Sequence, residues 1–277
     1  MLCYALLQGT GHRRRRSVTH RQEGRQLRTL ITGAGSGIGA GIATELARAG
    51  HRILASDLDQ DAAELTAWQI RQDGGQAGAF ALDVTRDDDV ERLIGELDDG
   101  VDVLVNNAGL QHVAPLEDFP MQQWDQLVQV MLVGSARLTR AVLPGMRARD
   151  FGRIVNIGSI HSLVASPYKS AYVAAKHGLT GLAKVVALET ADTDITINTI
   201  CPTYVKTPLV ERQIAAQART HGISEDRVVD EIMLKPMPKG VFISFEELAG
   251  ICAFLIGPDA RNITGQCIVV DGGWTVQ

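Results

Sequence analysis

The stretch Arg28-Thr29-Leu30-Ile31-Thr32-Gly33-Ala34-Gly35-Ser36-Gly37-Ile38-Gly39 decides the fold. A short apolar, β-branched run ends in a cluster of glycines, and a helix-forming segment, 37–49, follows at once. Glycines in that position let the backbone approach a diphosphate closely, and the helix N-terminus offers unpaired N–H groups and the positive end of its dipole. The same alternation continues along the chain. Strands are predicted at 28–32, 52–57, 76–83, 101–106, 153–159, 195–200 and 266–270, with helices at 37–49, 61–73, 87–97, 121–147, 170–189 and 245–255. Seven strands separated by helices predict one doubly wound α/β domain of Rossmann type over residues 27–277, its parallel sheet covered by helices on both faces. The long segment 207–244 falls between the sixth strand and the last large helix, where it would overhang the carboxyl ends of the strands as a lid.

The 277 residues, 45% of them hydrophobic, are enough for a sizeable core in one large domain. The formal net charge of −5 argues against nucleic acid as the main partner, and no apolar run approaches the length of a membrane span. Cys3, Cys201, Cys252 and Cys267 have neither metal-ligand nor disulfide spacing, so reduced thiols in a cytoplasmic protein, with no metal, are expected. Residues 1–26 differ from the rest: six arginines stand against the single acid Glu23, with no amphipathic period. This extension is expected to be disordered. An organelle transit peptide and a non-native start upstream of the domain are both open readings.

Two further features bear on chemistry. Asp57 closes the second strand, where a carboxylate accepts hydrogen bonds from both ribose hydroxyls and repels a 2′-phosphate. Neither Ser36 nor Leu58 supplies a cation for that phosphate, so NAD is expected rather than NADP. Tyr172 and Lys176 lie four apart on a predicted helix, which puts phenol and ammonium on one face. A neighbouring cation favours the phenolate and should draw the tyrosine pKa toward the working range.

Together these elements resemble the short-chain dehydrogenase/reductase family over nearly the whole length from Leu27. Residues 32–39 fit its TGxxxGxG pattern, Asn106-Asn107-Ala108-Gly109 its NNAG element, and Tyr172 with Lys176 its YxxxK. The resemblance implies an oxidoreductase with Ser159, Tyr172 and Lys176 as catalytic residues. It implies cofactor contacts from Gly33, Ser36, Gly37, Ile38, Gly39 and Asp57, with Asp83 and Val84 flanking the adenine. Asn107, Ala108 and Gly109 would line the cofactor. Pro202, Val205, Thr207, Tyr172 and Lys176 would complete the set, Thr207 on the nicotinamide amide. Two departures stand out: Met131 replaces the family's usual asparagine, and Thr203 follows Pro202 where glycine is common.

Within the family the surroundings of the triad resemble the bacterial D-3-hydroxybutyrate dehydrogenases. Gln111, His161, Lys169 and Gln213 would join Ser159 and Tyr172 around a small hydroxy acid, and Trp274 would cover its apolar end, with Tyr204 where relatives tend to carry tryptophan. A lysine with amide and imidazole donors suits a carboxylate. The resemblance also implies a homotetramer. A dehydrogenase of another secondary alcohol, a polyol or a 3-oxoacyl thioester remains the first alternative. A dinucleotide-binding protein with little catalysis, suggested by Met131, is the second.

Overall fold

The computed structural model describes residues 26–276; the basic segment 1–25 and Gln277 lie outside the described residues. Seven strands, β1 (Arg28–Thr32), β2 (Arg52–Asp57), β3 (Gln76–Ala81), β4 (Val103–Asn106), β5 (Gly152–Ile157), β6 (Ile195–Pro202) and β7 (Cys267–Val270), form one parallel sheet in the order β3-β2-β1-β4-β5-β6-β7. The strand sequences read as continuous apolar runs because both faces are covered. Ile31, Ile53, Val103, Val105 and Val155 point into one core with Ile42, Leu46, Leu248 and Leu255. Their neighbours Leu30, Leu54, Leu104 and Ile154 point to the other, with Leu93, Leu138, Val142 and Val186. Accordingly α1 (Gly37–Arg48), α2 (Gln60–Gln72) and a C-terminal helix, 245–256, cover the first face, while α3 (Asp87–Glu96) and the helices 134–149 and 170–189 cover the second.

At the amino ends of the strands, Arg28 forks onto Asp102, its Nε and Nη2 donating at 2.8 Å each, and Asp102 is fully buried. This paired charge spends the first two residues of the strand expected at 101–106 on anchoring, and β4 starts at Val103. The carboxyl ends are left for loops. The strand order reverses between β1 and β4, which opens a crevice there.

The single helix expected at 121–147 is instead α4 (Met121–Val128), a π-turn (Gln129–Val133) and α5 (Gly134–Arg149). Ser135 Oγ donates to the Met131 carbonyl at 2.8 Å inside this widened turn. α6 (Ser170–Glu189) follows β5. After β6 the chain forms α7 (Pro208–His221), α8 (Glu225–Val228) and another π-turn (Val229–Met233), before α9 (Phe245–Ile256). Val210, Ile214, Val228 and Met233 give this overhanging segment a small core of its own, against which Tyr204 packs.

Candidate active site

The glycine loop turns at Gly33 (φ 63°) and Gly37 (φ 57°), a backbone region that β-carbons disfavour. At Gly39 a Cβ would lie 2.2 Å from the Gly33 carbonyl oxygen, so no other residue fits. α1 starts at this loop with no side-chain cap on its N-terminus and no acid in its first turn. Its first N–H groups and the dipole therefore stand ready for an anion, which fits a dinucleotide diphosphate.

The loop is braced from β4. Asn107 Nδ2 donates to the carbonyls of Thr32 (2.9 Å) and Gly33 (3.0 Å), and the N–H groups of Asn107 and Ala108 both donate to Thr32 Oγ1 at 3.0 Å. The Asn107 amide thus works on the protein side of the cradle. Asp57 Oδ2 accepts the Gly35 N–H at 2.9 Å, and its Oδ1 accepts that of Asp59 at 3.2 Å. Asp83 closes a local turn by accepting from Thr85 N and Oγ1, and Val84 beside it is buried. Ile38, Val205 and Thr207 border a cavity next to this crevice. Thr207 also caps α7 by accepting the Val210 N–H at 3.2 Å, and Pro202 ends β6.

Ser159, Tyr172 and Lys176 meet above β5. The strand stops at Ile157, two residues short of expectation, and Ser159 instead caps a short turn (Ile160–Ser162), its Oγ accepting the His161 N–H at 3.2 Å. The Ser159 hydroxyl favours the ionised Tyr172 phenol and lowers its pKa. Lys176 is buried on the same face of α6 as Tyr172, with Nζ 5.5 Å from the phenol ring centroid and donating to the Ile157 carbonyl at 2.7 Å. Burial lowers its pKa to about 8. Tyr172 departs from the expectation: its pKa is raised, because burial outweighs the favourable effect of the Ser159 hydroxyl, and the Tyr204 phenol adds to the rise. The lysine does not overcome the loss of solvent in the protein by itself.

A cavity of about 130 Å³ opens over the triad. All seven residues expected around a substrate line it: Gln111, Ser159, His161, Lys169, Tyr172, Gln213 and Trp274. Lys169 precedes the first turn of α6, set there by Tyr168 (φ 67°), whose carbonyl accepts the Ala114 N–H at 3.0 Å. Burial alone lowers the Lys169 pKa, and among the described residues no carboxylate pairs with it. His161 is buried, its Nε2 3.3 Å from Ser166 Oγ, and burial followed by the charge of Lys169 pushes its pKa down to about 4. Gln111 Oε1 is buried with no hydrogen-bond partner among the described residues. Thr203 and Tyr204 also line the cavity, the Tyr204 ring 6.0 Å from that of Trp274. Both stand at the departures from the family pattern that the sequence set beside the nicotinamide and the substrate pocket. Met131 is fully buried behind it with Phe119, Leu127, Ala171 and Ala175, against Tyr172.

Residues 28–218 match the short chain dehydrogenase family model. The chain is 46% identical over 253 residues to the D-beta-hydroxybutyrate dehydrogenase of Rhizobium meliloti, covering 90% of this chain and 98% of that one. It is 44% identical to the enzyme of the same name from Cupriavidus necator, covering 90% and 97%. A crystal structure of an actinorhodin polyketide ketoreductase variant with NADPH superposes with a TM-score of 0.86 at 34% identity, over 90% of this chain and 97% of that one. With the matching family model, the relatives and the sheet order in agreement, the chain belongs to the short chain dehydrogenase family.

Proposed function

We propose that this chain is an NAD-dependent dehydrogenase that interconverts D-3-hydroxybutyrate and acetoacetate. The observation that carries the substrate is Lys169, an ammonium in the wall of a small cavity with no carboxylate partner among the described residues. A partly buried cation is stabilised by an anion, and the substrate carboxylate is the group that completes it. Gln111 and Gln213 share the wall and add amide contacts. The volume of about 130 Å³ favours a short acid. Pockets for drug-sized ligands run to about 300–1,000 Å³, and a carrier-bound thioester would need more room still.

With the carboxylate on Lys169, the 3-hydroxyl falls to Ser159 and Tyr172. Ser159 Oγ donates to the substrate oxygen and holds it against the phenol. Tyr172 takes the hydroxyl proton in oxidation and returns it in reduction. Lys176 places its ammonium under the phenol and, with a pKa of about 8, can exchange a proton near neutrality. When NAD is bound, its nicotinamide would supply the hydride acceptor. The first turn of α1 would hold the diphosphate and Thr207 the nicotinamide amide.

Asp57 supports NAD over NADP, although the similar ketoreductase carries NADPH. Its carboxylate already faces the loop through Gly35, and a 2′-phosphate would sit against that charge. The proposal extends to a homotetramer, supported by Val185 and Leu188 on α6 and Val269 on β7, all apolar and exposed. Cytoplasmic residence is supported by the free thiols Cys201, Cys252 and Cys267. No helix among the described residues is long and apolar enough to cross a membrane. Initial rates of NADH formation test the reading: D-3-hydroxybutyrate with NAD should react, and the L isomer, NADP and a neutral secondary alcohol should react at least ten-fold more slowly. Activity confined to the neutral alcohol would discard the carboxylate site and keep the triad.

A further inference from the structure

The Ser159 hydroxyl hangs from a single turn of backbone, and that turn carries a second hydroxyl which touches no ligand. β5 stops at Ile157, and Gly158 still reaches the sheet, its N–H donating to the Ile200 carbonyl of β6 at 2.7 Å. At Ser159 the chain leaves the sheet. Its N–H donates instead to Ser162 Oγ at 3.3 Å, while the Ser162 N–H donates to the Ser159 carbonyl at 2.8 Å and closes the turn. Ser159 Oγ in turn accepts the His161 N–H at 3.2 Å. Ser162 is buried and does not line the cavity, so its hydroxyl serves the main chain and not the substrate. It is held there closely, for a Cβ on Gly158 would lie 2.8 Å from Ser162 Oγ.

A serine hydroxyl has one proton to donate and two lone pairs with which to accept. The His161 N–H occupies one lone pair, which leaves the proton for the cavity that Ser159 lines. That orientation lasts only while the turn at 159–162 keeps its shape, and a buried backbone N–H that loses its oxygen acceptor costs free energy. We propose that Ser162 is a positioning residue of the reaction: its hydroxyl pins the Ser159 main chain, so that the Ser159 hydroxyl accepts from the protein and donates to the substrate oxygen. The inference rests on the role proposed above for Ser159 and deepens it. As hydride leaves C3, charge builds on the substrate oxygen, and a donor aimed in advance stabilises it most at that moment. Without the Ser162 hydroxyl the donor would still be present but less well aimed. The loss then falls on hydride transfer and spares the binding of cofactor and acid.

The test is a double-mutant cycle on Ser159 and Ser162, read as the pre-steady-state rate of NADH formation from D-3-hydroxybutyrate at saturating NAD. The KM for the acid and NADH affinity by fluorescence are measured alongside. Ser162→Ala should slow hydride transfer about ten-fold, with KM and NADH affinity within about two-fold of wild type. Ser159→Ala should lose about 100-fold, the size of one oxyanion donor. The double variant should match Ser159→Ala, because a residue that acts only through the Ser159 hydroxyl then has nothing left to position. A further loss of about ten-fold in the double variant would overturn the proposal, as would a Ser162→Ala rate equal to wild type. So would a Ser162→Ala protein that no longer binds NADH, which would make the hydroxyl a requirement of the fold. A wild type that oxidises only a neutral secondary alcohol would discard the carboxylate reading, and the same cycle on that alcohol would decide the role of Ser162. Oxidation of neither would overturn both.

Discussion

Replacing Lys169 by alanine removes the cation on which the substrate assignment depends, and the structure fixes the scale of the loss. Lys169 stands in the cavity wall, partly buried, and none of the acids among the described residues pairs with it. A hydrogen bond to a charged partner contributes about 1.5–3 kcal/mol, and removing one member of a fully buried ion pair costs about 3–5 kcal/mol. The partial burial of Lys169 lies between these, at about 2–4 kcal/mol, or roughly 30- to 1,000-fold in kcat/KM. The loss should fall on KM, since the carboxylate is bound alike in ground and transition states. Initial rates against D-3-hydroxybutyrate at saturating NAD measure it, with a neutral secondary alcohol as control. The wild-type KM should also rise on the alkaline side, as pH climbs through the lowered pKa of Lys169 and the ammonium loses its charge, while the alanine variant stays flat. A KM within about three-fold of wild type in Lys169→Ala would refute the reasoning.

Gly39→Ala would drive a Cβ to 2.2 Å from the Gly33 carbonyl, so NADH affinity by fluorescence titration should fall at least ten-fold. Met131→Asn would bury an amide among Phe119, Leu127 and Ala171, and should lower stability by about 1–3 kcal/mol in urea unfolding without raising turnover. His161 should make the fold acid-labile. Its folded pKa of about 4 lies below the unfolded value of 6.5, so the unfolded chain binds the proton first, and stability is lost as pH falls from about 6.5 to about 4. The displacement corresponds to at most about 3 kcal/mol, and His161→Gln should show a correspondingly smaller drop in urea midpoint between pH 7 and pH 4.5.

The strands were the most legible part of this chain, because burial on both faces writes them as unbroken apolar runs whose ends are marked by glycine or acid, as in β1 and β2. The loop and the YxxxK face were legible for a similar reason: their chemistry is local in sequence. What depended on tertiary context was less so. The π-turn at Gln129–Val133 breaks a helix that propensity joins, and the bond from Ser135 to the Met131 carbonyl has no marker in the sequence pattern. The pKa of Tyr172 sums burial, Ser159 and Tyr204, and spacing to Lys176 reports none of these.

The most direct test of the account is label transfer from D-3-hydroxybutyrate deuterated at C3. Wild type incubated with NAD should give NADH carrying the deuterium, and Tyr172→Phe should bind NADH as tightly while losing at least 1,000-fold in the rate of transfer, on the order of what a lost acid/base group costs. Label in NADH at an undiminished rate in Tyr172→Phe, or no labelled NADH from the wild type, would contradict the assignment of this site.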